Sequence, residues 1–312
     1  MCNSCELVFW IILNNIHSFT YCLVVWCILS TPRPAVTRAR VASMMLLLLL
    51  FLIEGSTADR EAQWGYLEKN GPHTWEKTCK SGSRQSPIDI RASDVVYASL
   101  DRMEFVHYDH VGPIDITNNG HTIEGSGFEK WGEKQPYIEG GGLKDRYRLV
   151  QFNFHWAQSD RNGSEHGIGG LHYPAELHLI HVRHNLTIPE AVKNPDGLAF
   201  VAVFLDLGLD GNSTSAISPI LEELIIPGNR LSIEQFSAKP LLPAHTEAFY
   251  RYEGSLTIPG CDEAVIWTVL ADPIEITFPQ MRNLRKVKSK DGDRFSYNYR
   301  PVQPLKGITP RI

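Results

Sequence analysis

The sequence predicts a single, mainly β domain: a large, mostly antiparallel central sheet with short helices at its edges. Three observations predict it. Short alternating stretches dominate the chain after residue 58: MEFVHY, YRLVQFNFHW, AELHLIHV, LAFVAVFLDL and AVIWTVL. Gly, Pro, Asn and Asp bound these stretches, as they bound strands. Helical periodicity is sparse, and no repeat, low-complexity tract or linker divides residues 59–312.

The N-terminus is set aside first. Arg38 and Arg40 precede the apolar run MMLLLLLFLI at 44–53, and EGSTA follows, ending at Ala58. A basic region, a short apolar core and small residues form a secretory signal peptide. The apolar core is too short to span a bilayer comfortably. An earlier apolar stretch, Leu7 to Leu29, is broken by Asn14, Asn15 and His17. Residues 1–58 are therefore expected to be a leader, with translation starting at Met44 or Met45; a signal anchor is the alternative. The chain ends QPLKGITPRI, without a hydrophobic tail, so no lipid anchor or C-terminal span is expected. The domain is expected to be secreted, with no stable membrane anchor.

Cysteine use agrees. Cys2, Cys5, Cys22 and Cys27 fall in the leader, leaving Cys79 and Cys261 in the domain. Two cysteines in an exported domain suggest one disulfide, with two free buried thiols as the alternative. Sequons at Asn162, Asn185 and Asn212 point to glycosylation. The net charge is −5, with 21% charged and 43% hydrophobic residues, which is ordinary for a soluble globular protein. The absence of a long basic run leaves nucleic acid without an electrostatic footprint.

Among the elements, helix is expected near Ile188–Lys193, with Pro189 in the first turn, and near Ile217–Ile225. The informative strands are QFNFHW at 151–156 and AELHLIH at 175–181. Alternation aims Gln151, Asn153 and His155 one way and Phe152, Phe154 and Trp156 the other. A polar face backed by a solid aromatic face suggests a polar cavity against a core. On the second strand Glu176, His178 and Ile180 share one face, and Leu177, Leu179 and His181 share the other. If the two strands pair, His178 meets His155, and two imidazoles on neighbouring strands suit Zn²⁺. Glu176 and Gln151 are then placed to accept the second ring N–H. The alternative is hydrogen-bonded core histidines.

QFNFHW, GSEHGIGG, YPAELHLIH, GSLTIPGC and RQSPIDI occur together in one chain. Together they resemble the alpha-class carbonic anhydrases, from Trp64-Gly65-Tyr66 to Arg300-Pro301. The resemblance implies a twisted, mostly antiparallel sheet and a zinc enzyme acting on carbon dioxide and bicarbonate. It implies His155 and His178 as the second and third zinc ligands. Glu165 and Thr257 match the pair in which the carboxylate accepts the hydroxyl proton. His121 matches the histidine that carries protons to solvent. Ile180, Phe200, Leu256, Val265 and Trp267 match the apolar wall where CO₂ lies. Cys79 and Cys261 resemble the disulfide of the secreted and membrane-bound branch. His166 and His181 read as structural.

The chain departs from the pattern at the first ligand position, which holds Asn153. An amide oxygen is a poor zinc donor beside imidazole. Gln151 thereby loses its imidazole partner and is expected to bond Asn153 instead. Ile258, Glu124 and Gly260 are smaller departures; the first two alter cavity polarity and the third is expected to loosen a loop. Two readings follow. One is zinc-dependent CO₂ hydration, weakened by Asn153. The other is an acatalytic protein resembling the carbonic-anhydrase-related proteins, acting through a protein partner.

Overall fold

The computed structural model describes residues 64–306 and 308–312, and the expected leader at 1–58 lies outside them. The described strands, in chain order, are β1 (Asp89–Ile90), β2 (Met103–Val106), β3 (Gly112–Asn118), β4 (Ile123–Ser126), β5 (Tyr137–Gly140), β6 (Tyr147–Trp156), β7 (Gly167–Ile168), β8 (Ala175–Arg183), β9 (Leu198–Gly208), β10 (Arg230–Phe236), β11 (Phe249–Gly254), β12 (Val265–Leu270) and β13 (Ile274–Thr277). Eleven of them form one sheet, ordered β10-β3-β4-β6-β8-β9-β12-β11, with β13 also on β9 and the β2–β5 pair joined through β6. The sheet is mixed: β12 and β13 run parallel to β9, and its other pairings are antiparallel. β1 and β7 form a separate parallel pair. Among the described residues no helix is long and apolar enough to cross a membrane.

The five alternating stretches become β2, β6, β8, β9 and β12. β2 ends before its predicted last residues because His107 turns to a left-handed φ of 59°. The helix near 188 forms over Ile188–Ala191, with Pro189 in its first turn and Thr187 and Glu190 closing a capping box. The helix expected near 217–225 shrinks to a 3₁₀ turn, Ser218–Ile220. A helix not predicted, Phe278–Leu284, starts with the same device, Thr277 and Gln280.

β9 shows why the sheet has two buried faces. Ala199, Val201, Val203 and Leu205 enter one apolar cluster, which also holds Phe152, Phe154, Trp156, Leu177 and Leu179. Leu198, Phe200, Ala202 and Phe204 enter the other, with Val265 and Trp267. A strand buried on both faces needs apolar residues at every position, which LAFVAVFL supplies. Strand β6 is less regular. Its register on β8 shifts between Leu149 and Gln151, leaving Val150 as an extra residue. Leu149 and Phe152 thus enter the same core although three positions apart. The phase beyond the bulge sends Gln151, Asn153 and His155 to the opposite face.

Cys79 and Cys261 are joined in a disulfide, Cα to Cα 4.9 Å. Cys261 N donates to the Ile258 carbonyl at 2.9 Å, and its preceding Gly260 has φ +102°. Gly260 therefore supplies a left-handed turn directly before the disulfide cysteine. Cys261→Ser opens a crosslink spanning 182 residues. It should lower stability by about 2–5 kcal/mol. The check is a denaturant midpoint compared with the parent protein; equal midpoints would remove the disulfide from the account.

His181 points into the core, away from His178. Its ring is fully buried. Its Nδ1 donates to the Ala199 carbonyl at 3.1 Å, so Nε2 accepts from the Tyr108 hydroxyl. Burial pushes its pKa from 6.5 down to about 3. The unfolded chain then binds a proton near pH 6.5 that the folded chain refuses until about pH 3, so stability falls as pH drops through that window. Between pH 7 and 5 the loss from this one residue should be about 2 kcal/mol. Urea midpoints at both pH values should differ less in His181→Gln than in the parent.

Candidate metal centre

Strand registers assemble the site in two rows. In the first, Glu124 on β4 pairs with Asn153 on β6, which pairs with His178 on β8. In the second, Gln151, Ile180, Phe200, Trp267 and Tyr252 are successive partners across β6, β8, β9, β12 and β11. Directly opposed residues share a face. His155, two positions beyond Asn153, lies on the same face. The His155 and His178 ring centroids are 4.4 Å apart.

Hydrogen bonds settle how each ring is held. His155 Nδ1 lies 2.8 Å from the Asn298 carbonyl. A carbonyl only accepts, so Nδ1 carries the hydrogen and Nε2 keeps its lone pair. Burial pushes His155 below its ordinary pKa. His178 Nε2 lies 2.7 Å from Glu176 Oε1. Glu176 also accepts from the His166 backbone N–H at 2.8 Å and from His166 Nδ1 at 2.6 Å. Burial alone would raise the Glu176 pKa, but the pull and hydrogen bond of His166 and the bond from His178 hold it well below the ordinary carboxylate range. Glu176 therefore stays ionised and accepts only, which leaves the hydrogen on His178 Nε2 and the lone pair on Nδ1. His166 is a buttress: its other nitrogen lies 2.7 Å from the Tyr252 hydroxyl.

Asn153 is the anomalous member. Its Oδ1 is buried and has no hydrogen-bond partner. Gln151 therefore does not bond that oxygen. Three donor atoms on one face are left unused by the protein: two imidazole nitrogens and one amide oxygen. This set fits a zinc ion through its two histidines and fits it poorly at the third position, because zinc favours His, Cys or carboxylate there. Among the described residues, potential ligand atoms of His155, Glu165 and His178 lie within 4.8 Å of one another.

Glu165 is fully buried. Its Oε1 accepts from the Arg300 backbone N–H at 2.7 Å, and its Oε2 has no partner. Thr257 is buried as well, but its hydroxyl does not reach Oε2 in this geometry. Arg300 in turn donates to Gln85, to the Ser86 carbonyl and to the Cys79 carbonyl. It thus ties Glu165 to the disulfide. Ile180, Phe200, Leu256, Val265 and Trp267 all belong to one apolar cluster. The Trp267 ring centroid is 4.8 Å from that of His178, so the wall abuts the imidazoles. Ile258 beside Thr257 is 39% exposed.

His121 is stacked on Trp64 with centroids 3.7 Å apart and planes 7° from parallel. Burial and then the Lys290 charge push its pKa down to about 4. In this position the ring is less suited to exchanging protons near neutrality than a free histidine. Glu124 bonds Asn119 Nδ2 at 2.9 Å, and burial pushes its carboxyl up.

Asn298 is a participant that pattern reading missed. Besides holding His155, its side chain accepts from Trp156 N and donates to the carbonyls of Phe154 and His121. It lies in FSYNYRP, which has no strand or helix period to mark it. Asn162, Asn185 and Asn212 are all exposed.

Residues 70–309 match the family described as eukaryotic-type carbonic anhydrase. The chain is 52% identical over 269 residues to a Caenorhabditis elegans protein named "Putative carbonic anhydrase 5", covering 86% of each. It is 39% identical over 253 residues to human carbonic anhydrase 7, covering 78% of this chain and 94% of that one. With rat carbonic anhydrase 3 it shares 34% identity over 257 residues, 80% of this chain and 97% of the other. A match of this extent, to a sheet that presents oriented imidazoles against an apolar wall, means that the chain belongs to the eukaryotic-type carbonic anhydrase family.

Proposed function

We propose that this chain is an exported carbonic anhydrase that interconverts carbon dioxide and bicarbonate, with a zinc ion held by His155 and His178 and only weakly by Asn153. The observation that supports it most is the orientation of the two imidazoles. Asn298 and an ionised Glu176 consume the outer N–H of each ring, which leaves one lone pair on each for a metal. Burying a carboxylate beside two histidines is costly unless its charge is used, and Glu176 uses it on His166 and His178. Export is supported by the disulfide between Cys79 and Cys261. Exposed sequon asparagines at 162, 185 and 212 would accommodate glycans.

When bound, zinc supplies the Lewis acid that makes a water acidic near neutral pH, as is established for carbonic anhydrases as a class. The remaining work falls to side chains. The apolar wall from Ile180 to Trp267 takes linear, uncharged CO₂ without competing hydrogen bonds. Glu165, with Oε2 free, is the acceptor for the Thr257 hydroxyl once that side chain turns toward it. Fixing the hydrogen there leaves a Thr257 lone pair aimed into the cavity, which orients the attacking group. His121 is the candidate to pass the released proton outward, although its Trp64-stacked position, with the pKa lowered to about 4, disfavours protonation near neutrality.

Asn153 also favours a second reading, an acatalytic protein that acts through a partner. Loss of a supporting group around a bound metal typically costs about 10–100-fold in affinity, and loss of a ligand should cost at least that. The test uses residues 59–312, with zinc measured per chain and CO₂ hydration followed with and without added zinc. The expected result is low zinc occupancy, turnover that rises with added zinc, and zinc binding at least about 10-fold tighter in Asn153→His. A protein that stays metal-free and inactive in excess zinc, yet gains turnover in Asn153→His, would establish the acatalytic reading.

A further inference from the structure

Thr214 carries a hydroxyl that the finished fold does not use. The residue is 5% exposed, and its Oγ1 is buried without a hydrogen-bond partner. A cavity of about 10 Å³ adjoins it, lined in part by Phe154, Ile217, Ser218, Leu221, Gln280 and Leu284. That volume is at the lower limit for a single water. Gln280 is already committed: its Oε1 accepts from Thr277, and its Nε2 donates to the Gly211 carbonyl at 2.9 Å. An unpaired buried hydroxyl destabilises a fold, and Val fills nearly the same space without that cost.

The neighbouring residues supply a use for it. Asn212, Ser213 and Thr214 form a sequon. A sequon is read through two groups, the Asn amide that takes the sugar and the hydroxyl two residues on. In the folded chain Asn212–Thr214 is a 3₁₀ turn, with Asn212 exposed and Thr214 in the core. Reading both groups at once requires Thr214 to leave the core. A sugar already on Asn212 meets no such obstacle. The surface beside it is open: Leu209 is 99% exposed, and Phe278, which follows the Thr277–Gly208 pair, is 65% exposed.

The other two sequons behave differently. Ser164, two residues after Asn162, is also fully buried. Its Oγ donates to the His166 carbonyl at 2.7 Å and accepts from the Tyr173 N–H at 3.0 Å, so the fold accounts for that hydroxyl. Thr187, two residues after Asn185, is exposed together with it. It caps the four-residue helix Ile188–Ala191 through Glu190, and so short a helix opens readily.

We propose that Asn212 is a glycosylation site that works only before this segment packs, and that the Thr214 hydroxyl serves that step and not the finished fold. Asn212 Nδ2 forms a bond to the anomeric carbon of an oligosaccharide. The bond from that carbon to the diphosphate of its lipid carrier breaks, and one Nδ2 proton is released. Folding then closes the site, whereas Asn185 stays open to the same chemistry. The use of this step rests on the export reading above; the burial of Thr214 does not.

The experiment offers the full chain to purified oligosaccharyltransferase and a lipid-linked oligosaccharide in two states. One is folded with the disulfide intact, and the other is unfolded by reduction and alkylation. Mass spectrometry then counts sugars at each asparagine. Asn212 should be modified at least about 10-fold faster in the unfolded chain, with Asn185 modified in both. Equal rates at Asn212 in the two states, or no modification there in either, overturn the proposal. Thr214→Val should abolish modification at Asn212 in the unfolded chain and leave the urea midpoint at or above the parent's. A midpoint that falls would assign the hydroxyl to the fold and overturn the role given to it. Translation of the full chain with endoplasmic-reticulum microsomes tests export separately. A chain that stays outside them overturns the export reading, while the comparison of folded and unfolded chains still decides the proposal.

Discussion

Everything at this site depends on the antiparallel pairing of β6 with β8, and on the single extra residue within it. Because side chains alternate strictly along a strand, one residue of slip would exchange the two faces of β6. The bulge at Val150 lets Tyr147 and Leu149 share a core with Phe152 and Phe154. It also leaves Gln151, Asn153 and His155 on the cavity side. The same pairing opposes Asn153 to His178 and His155 to Glu176. A site made of cross-strand neighbours inherits the stiffness of the sheet, and the fully buried rings of Phe152 and Trp156 lock the phase from behind.

Around that pairing the protein adds buried polar groups, each with assigned work. Glu176 accepts three hydrogen bonds and fixes two histidines. Asn298 fixes a third ring and ties it to the segment carrying His121. Arg300 links Glu165 to the disulfide. Buried polar groups normally find partners. Against that background two exceptions at the centre, Asn153 Oδ1 and Glu165 Oε2, are informative. Both are acceptors; Asn153 is the cross-strand partner of His178, and Glu165 lies 3.6–3.9 Å from the rings of His155 and His178.

The rim follows different physics. His121 is held by its backbone and by stacking rather than by hydrogen bonds to its ring. Its protonation is governed by burial and by charges on a neighbouring loop. The interior of the site is set by strand register, which is stiff, whereas the His121 ring is set by stacking and by its backbone contacts.

The sequence by itself determined the strand content, the five main strands, the two faces of β6 and β8, and the meeting of His155 with His178. It could do so because period-two alternation is local and because five motifs resemble one family. It overstated the helix near 217–225 and missed the helix at Phe278–Leu284, since stretches of a turn or two carry little periodicity. It expected Gln151 to bond Asn153, and the tertiary structure decided otherwise. Asn298 and Arg300 lie more than a hundred residues from the groups they hold. Their roles arise only when distant backbone segments pack together. The Trp64–His121 stack was likewise beyond local pattern, because it joins segments that only the folded chain brings within reach.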